Sequence, residues 1–422
     1  MSIEKTEVVI VGAGQAGIAM SEHLLKAGVA HLVLEKARIA ERWRSCRWDS
    51  LVANGPAWHD RFPGLEFAGD ADAFVPKEQV ADYFAAYVEQ LNSPVRCGVD
   101  VQRVTRLEGR SGFLVETSAG SIEAQHVVAA TGAFQIPVIP NIVSATAGVT
   151  QLHSADYRNP DQLPEGGVLV VGAGSSGVQI ADELARAGRK VYLSVGPHDR
   201  PPRSYRGRDF VWWLGVLNKW DAEATPGVEH TTIAVSGAGG GHTVDFRQLA
   251  ANGITLVGRT ESCTGTEIRF SDDLRANIER GDANYLSVLD EADAYVERSG
   301  IDLPLEPQAR QFLPMPDCVL QPVQTLDLQQ AGITTILWAT GYTSDYRWLP
   351  GNATDDKGRP RHQRGVSSEP GIYFLGLPWQ TRRGSSFIWG VWYDARYIAD
   401  HITKQNGYMR YAPSAAPLAK AA

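Results

Sequence analysis

The sequence predicts an α/β protein in which two similar strand–turn–helix units follow one another, the second inserted into the first. Three observations predict it. A glycine turn, Gly12-Ala13-Gly14-Gln15-Ala16-Gly17, follows the apolar run Val8-Val9-Ile10-Val11 and leads into a helix-like segment. The same turn recurs as Gly172-Ala173-Gly174-Ser175-Ser176-Gly177 after Val168-Leu169-Val170-Val171. A late strand, Thr335-Ile336-Leu337-Trp338, ends in Ala339-Thr340-Gly341-Tyr342 and echoes Val127-Val128-Ala129-Ala130-Thr131-Gly132. That echo suggests a chain that leaves its first domain, builds a second and returns.

Each turn is a phosphate cradle. The first glycine makes the tight bend, the second lets the backbone approach a pyrophosphate, and the third lets helix pack on strand. The helix N-terminus then faces negative charge. The copies differ beyond the turn. In the first, the next strand, His31-Leu32-Val33-Leu34, ends in Glu35, a carboxylate able to accept both hydroxyls of an adenosine ribose, which suits FAD or NAD. The equivalent position in the second is Val195, where no carboxylate repels a 2′-phosphate. Arg200, Arg203 and Arg206 follow, and guanidinium groups pair well with phosphate. The first site therefore reads as FAD and the second as nicotinamide, NADPH before NADH. The predicted fold class is two Rossmann-like dinucleotide-binding domains, the NAD(P)H domain inserted into the FAD domain, with a small β-meander. Residues 1–160 and 331–422 form the FAD domain, and 161–330 the NAD(P)H domain with a divergent insert over about 205–330.

Element by element, the first βαβ unit spans about residues 6–36. The aromatic and polar stretch from Arg42 to Pro56 has neither helical nor strand periodicity and reads as a structured loop. Residues 76–91 form an amphipathic helix with Pro76 at its start. Strands at about 95–105, 112–118 and 121–128 make the meander, and Pro137 and Pro140 mark a linker. The second βαβ unit begins near 167. Gly237–Gly241 reads as a flexible turn, and 274–298 as a charged helix with a solvated face. The stretch after Tyr408 is rich in Ala and Pro and is expected to be poorly ordered.

Composition narrows the function classes. At 422 residues the chain exceeds one ordinary core. Net charge −8 argues against a nucleic-acid binder. No apolar run approaches the length that spans a bilayer, and the first strand begins too early to leave room for a secretory signal. Cys46, Cys97, Cys263 and Cys318 are dispersed without a CxxC, which suits reduced thiols in a cytoplasmic protein and argues against a redox-active disulfide. The ten histidines form no ligand cluster, so no metal is expected.

Beyond this reading, the sequence resembles the flavin-containing monooxygenases, class B flavoprotein monooxygenases, over about residues 6–200 and 331–403. Both glycine turns stand at the family's spacing, and His153-Ser154-Ala155-Asp156-Tyr157 between them is similar to its fingerprint. Two departures are present: one extra residue separates Gly148 from His153, and Thr146 stands where phenylalanine is usual. Ending in Tyr157 rather than Trp, the segment resembles the heteroatom-oxygenating branch more than the Baeyer–Villiger branch. Asn54-Gly55-Pro56 resembles the segment that reaches the flavin, and Ala339-Thr340-Gly341-Tyr342 matches the motif at the return between domains. Gly371-Ile372-Tyr373-Phe374-Leu375-Gly376 is similar to the segment that passes under the flavin ribityl chain, with a helix expected from Ser385-Ser386.

The resemblance implies that FAD, reduced by a nicotinamide hydride, adds O2 at its C4a carbon and gives one oxygen to a soft nucleophile, a nitrogen or sulfur of a small molecule. Asn54 is the expected catalytic group, contacting the flavin or the peroxide. The expected cofactor contacts are Gly12, Gly14, Gln15, Ala16, Gly17, Glu35, Trp43, Thr131, Gly132, Gly172, Gly174, Ser175, Ser176, Gly177, Arg200, Arg203, Gly341, Gly376 and Ser385. Trp379, Gln380 and Arg382 are further candidates for the pocket wall, whereas His153 reads as a hinge and domain-contact group. Three alternatives stay open: ketone oxygenation, a plain NAD(P)H:flavin reductase, and a redox-sensing flavoprotein that binds both dinucleotides without turnover. The family also makes a homodimer plausible.

Overall fold

The computed structural model describes residues 3–144, 147–225 and 232–411. Thr146 and the stretch beyond Tyr411 lie outside them.

The first unit runs β1 (Glu4–Val11), α1 (Gln15–Lys26), β2 (His31–Glu35), a short α2 (Glu41–Ser45), α3 (Lys77–Leu91) and β3 (Val95–Cys97). A meander of β4 (Val101–Arg106), β5 (Phe113–Thr117) and β6 (Gly120–Ala129) follows. Beyond β7 (Ile136–Pro137) the second unit runs β8 (Thr150–His153), β9 (Gly167–Val171), α4 (Ser175–Arg186) and β10 (Val191–Ser194). The divergent region holds β11 (His198–Asp199), β12 (Ser204–Tyr205), β13 (Arg208–Asp209), α5 (Phe210–Val216), β14 (Thr232–Ile233) and α6 (Phe246–Ala251). It continues through β15 (Thr255–Val257), β16 (Thr260–Thr264), β17 (Glu267–Phe270), α7 (Leu274–Ser299), α8 (Asp317–Leu320) and β18 (Thr325–Asp327). The chain returns through β19 (Ile333–Trp338), β20 (Tyr342–Thr343), β21 (His362–Gln363), β22 (Val366–Ser367), β23 (Ile372–Phe374) and α9 (Ile388–Arg410).

The first sheet has the order β21-β22-β23-β6-β1-β2-β3, with β5 and β4 extending from β6. The second is all parallel, in the order β15-β10-β9-β19-β8. Val8, Val9 and Ile10 are fully buried, as are Val168, Leu169 and Val170. Strands covered on both faces need such unbroken apolar runs. α9 closes the first unit by packing Val391, Ala395, Ile398 and Ile402 against the cluster that contains Ile18, Met20 and Leu24 of α1.

Three expectations change. β8 and β19 belong to the second sheet, so residues 150–153 and 333–338, expected in the first unit, stand in the second. The echo between 127–132 and 335–341 is a duplicated position that also marks where the chain passes between the sheets: it leaves the first sheet after β6 and returns to it after β19, with β7 and β20 paired side by side. β6 lies beside β1 as β19 lies beside β9. In each copy the strand end passes over the first glycine of the turn. A Cβ on Gly12 would lie 2.7 Å from the Ala130 carbonyl oxygen, and one on Gly172 would lie 2.5 Å from that of Ala339. Second, the 95–105 strand breaks at Gly98 (φ +76°), so β3 joins the parallel sheet and only β4–β6 form the meander. Third, α7 is not simply a solvated face: Ile278, Asp282, Tyr285 and Leu289 are buried against the insert. No helix among the described residues is long and apolar enough to cross a membrane.

Candidate active site

In the first cradle a Cβ on Gly17 would fall 1.8 Å from the Gly12 carbonyl oxygen, so only glycine lets α1 sit on the turn. A Cβ on Gly14 would have nothing within 4 Å. The approach to the α1 N-terminus is open, as a bound pyrophosphate requires. Glu35 ends β2 with Oε2 accepting from Ala13 N at 2.9 Å and Oε1 accepting from Ala37 N at 2.9 Å. The two amides fix the carboxylate at the rim of the turn and leave lone pairs for ribose hydroxyls. Gln15 links the rim to its surroundings: Nε2 donates to Ser386 O at 3.3 Å, and Oε1 accepts from Trp43 Nε1 at 3.4 Å. Ala16 meets the last strand, since a Cβ on Gly376 (φ +84°) would lie 3.0 Å from Ala16 Cβ. Thr131 and Gly132 are bridged by Gln135 Nε2, at 2.9 Å from each of Thr131 Oγ1 and Gly132 O. The open turn and the fixed carboxylate fit the pyrophosphate and the ribose of FAD.

Ser385 is brought there but is already committed. It is fully buried, and its Oγ accepts from Thr381 N and Arg382 N at 3.0 and 3.1 Å. The hydroxyl closes a short turn over Arg383–Ser386, and the helix proper starts at Ile388. Around this turn Arg382 Nε, Arg383 Nε and Trp389 Nε1 are buried donors without partners. Burial lowers the Arg383 pKa, opposed by the charges of Asp199 and Glu291.

The second cradle repeats the turn, with Gly172 at φ +110° and a Cβ on Gly177 again 1.8 Å from the first glycine's carbonyl oxygen. Its surroundings do not repeat. Ser175 Oγ donates to Ile233 O at 2.9 Å, and a Cβ on Gly174 would meet Thr232 Cγ2 at 2.4 Å. In this arrangement the segment from Thr232 covers the approach to α4, so the cradle as it stands does not fit a dinucleotide pyrophosphate. Ser176 sits in the first turn of α4, and Gly341 (φ +81°) offers its carbonyl to His153 Nε2 at 2.9 Å. That contact ties β8 to the end of β19, and burial lowers the His153 pKa.

The arginines proposed for the 2′-phosphate turn inward. Arg200 is 2% exposed, with Nη2 donating to Asp282 Oδ1 at 2.7 Å and its guanidinium over the rings of Tyr285 and Phe312. Arg247 Nη2 reaches the other oxygen of Asp282 at 2.5 Å. Arg206 pairs with Asp293 at 2.8 Å. A buried carboxylate between two guanidiniums is the reason: an arginine whose charge is neutralised inside the fold is not free for a ligand.

Arg203 serves the junction between the cradles. Nη1 donates to the Asn54 carbonyl oxygen and Nη2 to Asp209 Oδ1, both at 2.6 Å. Asp209 also caps α5 by accepting from Val211 N at 2.8 Å. Asn54 Oδ1 accepts from Gln179 Nε2 of α4 at 3.0 Å. Asn54 is thus gripped at backbone and side chain by the second unit, and its Nδ2 has no partner among the described residues. The glycine stretch expected to be a flexible turn is wedged into the same junction, since a Cβ on Gly237 would lie 2.3 Å from the Ala53 carbonyl oxygen.

A pair that the sequence reading missed stands beside Asn54. Asp60 Oδ2 accepts from Gly55 N at 3.0 Å, and Asp60 Oδ1 lies 2.8 Å from His59 Nδ1. The His59 ring stacks on Trp220 at 5.1 Å and meets Trp389 edge-on at 5.2 Å. A His-Asp dipeptide just after Asn-Gly-Pro was the available signal. Trp213 is core, and Trp379 packs under Arg383. Arg382 pairs with Asp221. Among the described residues no group of His, Cys, Asp and Glu could hold a metal, and all four cysteines are free.

Comparison with known proteins agrees with this architecture. Residues 9–206 match the pyridine nucleotide-disulphide oxidoreductase family model. The chain is 34% identical over 405 residues to a CzcO-like oxidoreductase of Geobacillus kaustophilus, covering 94% of this chain and 98% of that one. It is 28% identical over 408 residues to probable indole-3-pyruvate monooxygenase YUCCA1 of Arabidopsis thaliana, covering 94% and 89%. The flavin-containing monooxygenase of Stenotrophomonas maltophilia shares the fold at a TM-score of 0.67 and 18% identity, over 96% of this chain and all of that one. The chain belongs to the CzcO-like oxidoreductases, and flavin monooxygenases are similar to it in sequence and share its fold.

Proposed function

We propose that the protein is an FAD-dependent, NAD(P)H-consuming monooxygenase that places one atom of O2 on a nitrogen or sulfur of a small molecule. The observation that carries this reading is Asn54. It is held between the two units by Arg203 and Gln179, with an amide donor that no described residue uses. Bound FAD would supply the two-electron store and the carbon at which O2 is activated. The chain's own task is to hold and screen. The open turn at Gly14 and the α1 N-terminus bind the pyrophosphate, and Glu35, fixed by two amides, takes the ribose. Asn54 Nδ2 is the free donor that would face bound FAD and hydrogen-bond to oxygen there. His59, its Nδ1–H directed to Asp60, can move a proton through Nε2, beside the rings of Trp220 and Trp389. Trp220 and Trp389 wall that position from water, which an oxygen donor of this kind requires. Tyr157, in the place that resembles the family fingerprint, favours nitrogen or sulfur over a ketone. Val195, with no carboxylate, supports NADPH over NADH, while Arg200 and Arg203 lend that preference no support.

The test is NADPH and NADH consumption by the FAD-loaded protein with a panel of amines, thioethers and ketones, hydrogen peroxide being measured in parallel. The reading expects an amine or thioether that raises product at the expense of peroxide. Stoichiometric peroxide with every compound, or turnover of ketones alone, overturns it.

A further inference from the structure

The two cradles are one turn built twice, and the space before their second glycines differs. At Gly14 the space a Cβ would enter is empty to 4 Å, whereas at Gly174 it is filled by Thr232, with Cγ2 at 2.4 Å and Cβ at 3.8 Å. Thr232 therefore stands where the second glycine of such a turn otherwise admits phosphate oxygens.

The segment is held there by several contacts. β14 pairs with β11 through His198–Thr232 and Asp199–Ile233, and Ala234 N donates to Asp199 O at 2.8 Å. Ser175 Oγ donates to Ile233 O at 2.9 Å and accepts from Val235 N at 3.3 Å. Gln179 Nε2 donates to Val235 O at 2.9 Å. Ala234 is fully buried, and Val235 packs on the cluster of Phe210, Val211, Leu214 and Trp220. Two of the groups that hold the segment, Ser175 and Gln179, lie on the cradle's own helix.

Resting on the assignment of the second cradle to a nicotinamide dinucleotide, we propose that Thr232–Val235 is a strap that occupies this cradle and is displaced when the dinucleotide binds. Gln179 gives that displacement a consequence. The nitrogen that holds Val235 O also holds Asn54 Oδ1, at 3.0 Å. When the strap leaves, Gln179 loses one of its two acceptors, and the grip on Asn54 changes in step with loading of the second cradle. A free cradle and a filled one thus present Asn54 differently to the flavin side.

The geometry supplies a lock. A separation of 3.8 Å between the position-174 Cβ and Thr232 Cβ is within the range a disulfide spans. The double variant Gly174→Cys with Thr232→Cys, in the FAD-loaded protein, is to be titrated with NADP+ and with NAD+ in its oxidised and its thiol-reduced forms. Hydrogen exchange of residues 232–236 in the wild-type protein is to be followed with and without the same dinucleotides. The strap predicts that oxidation weakens binding at least about a hundredfold and that reduction restores it, with dithionite still reducing the flavin in both forms. It also predicts that the Val235 amide exchanges faster with dinucleotide present, and that Thr232→Gly tightens binding about three- to tenfold, the scale of removing one or two packed carbons. Equal affinity in the oxidised and reduced forms, or a Val235 amide more protected in the complex, overturns the strap. If cysteine at 174 blocks binding in both forms, the exchange result on the wild-type protein decides. A wild-type protein that binds neither dinucleotide overturns the assignment of the cradle itself.

Discussion

Alanine at position 17 and alanine at position 14 are the same chemical change three residues apart, and the structure assigns them opposite consequences. A methyl on residue 17 would lie 1.8 Å from the Gly12 carbonyl oxygen, more than an ångström closer than real Cβ contacts come. The oxygen is backbone and a Cβ is fixed to its own backbone, so α1 has to move off the turn. Ile18, Ala19, Met20 and Leu24 of that helix have no exposed surface, so the movement breaks close packing. Overpacking of a well-packed core costs about 1–3 kcal/mol, and a backbone clash belongs at the upper end. At about 2–4 °C per kcal/mol for a large domain, Gly17→Ala should lower the midpoint of FAD-free protein by about 6–12 °C. A methyl on residue 14 meets no atom within 4 Å. Its cost to the FAD-free protein should stay within about 1 kcal/mol, but the methyl enters the pyrophosphate approach and should weaken FAD binding at least about tenfold, some 1.4 kcal/mol. Thermal unfolding of both variants, stripped of FAD and then titrated with it, separates the two effects. Equal losses of midpoint without FAD, or unchanged FAD affinity in Gly14→Ala, would refute the assignment of this space to the ligand.

Three further outcomes follow from the same geometry. Asn54→Ala should keep its FAD content yet divert at least about nine-tenths of consumed NADPH to peroxide, the size of losing one placed donor; unchanged coupling removes Asn54 from the oxygen chemistry. Asp282→Ala leaves Arg200 and Arg247 buried and uncompensated, and urea unfolding should register a loss of about 3–5 kcal/mol. A loss under about 1 kcal/mol would mean that the arginines find other partners. Burial holds His198 down to about 4, so the unfolded chain takes up a proton below about pH 6.5 that the folded one refuses. Stability should therefore fall by about 3 kcal/mol as pH drops from 6.5 to 4, at about 1.4 kcal/mol per unit of pKa difference. His198→Leu should show a flatter profile over that window, and a parallel one would place the acid sensitivity elsewhere.

What could be read from the sequence was what is local. The glycine turns were legible because the contact that forbids a side chain at Gly17 or Gly177 comes from a carbonyl five residues away in the same turn. The Ala-Thr-Gly echo was visible too, but which sheet each copy joins depends on pairing with distant strands, and β19 went to β9. The arginines misled because adjacency to a cradle says nothing about side-chain direction. Asp282, the acceptor that turns Arg200 inward, is 82 residues further along the chain. Ser385 was expected at a helix start, but its hydroxyl is needed to close the turn that precedes the helix. His59 and Asp60 lie in a loop without periodicity, and only their contacts with Trp220, Trp389 and Gly55 mark them out.

On the proposed function, electrons from NAD(P)H leave this protein with oxygen, one atom going to a nitrogen or sulfur of the substrate. Turnover of the best amine or thioether under 18O2 in ordinary water measures this directly. The expected product carries one 18O atom and forms in step with NADPH consumed. Unlabelled product, or all of the 18O recovered as hydrogen peroxide, would contradict it.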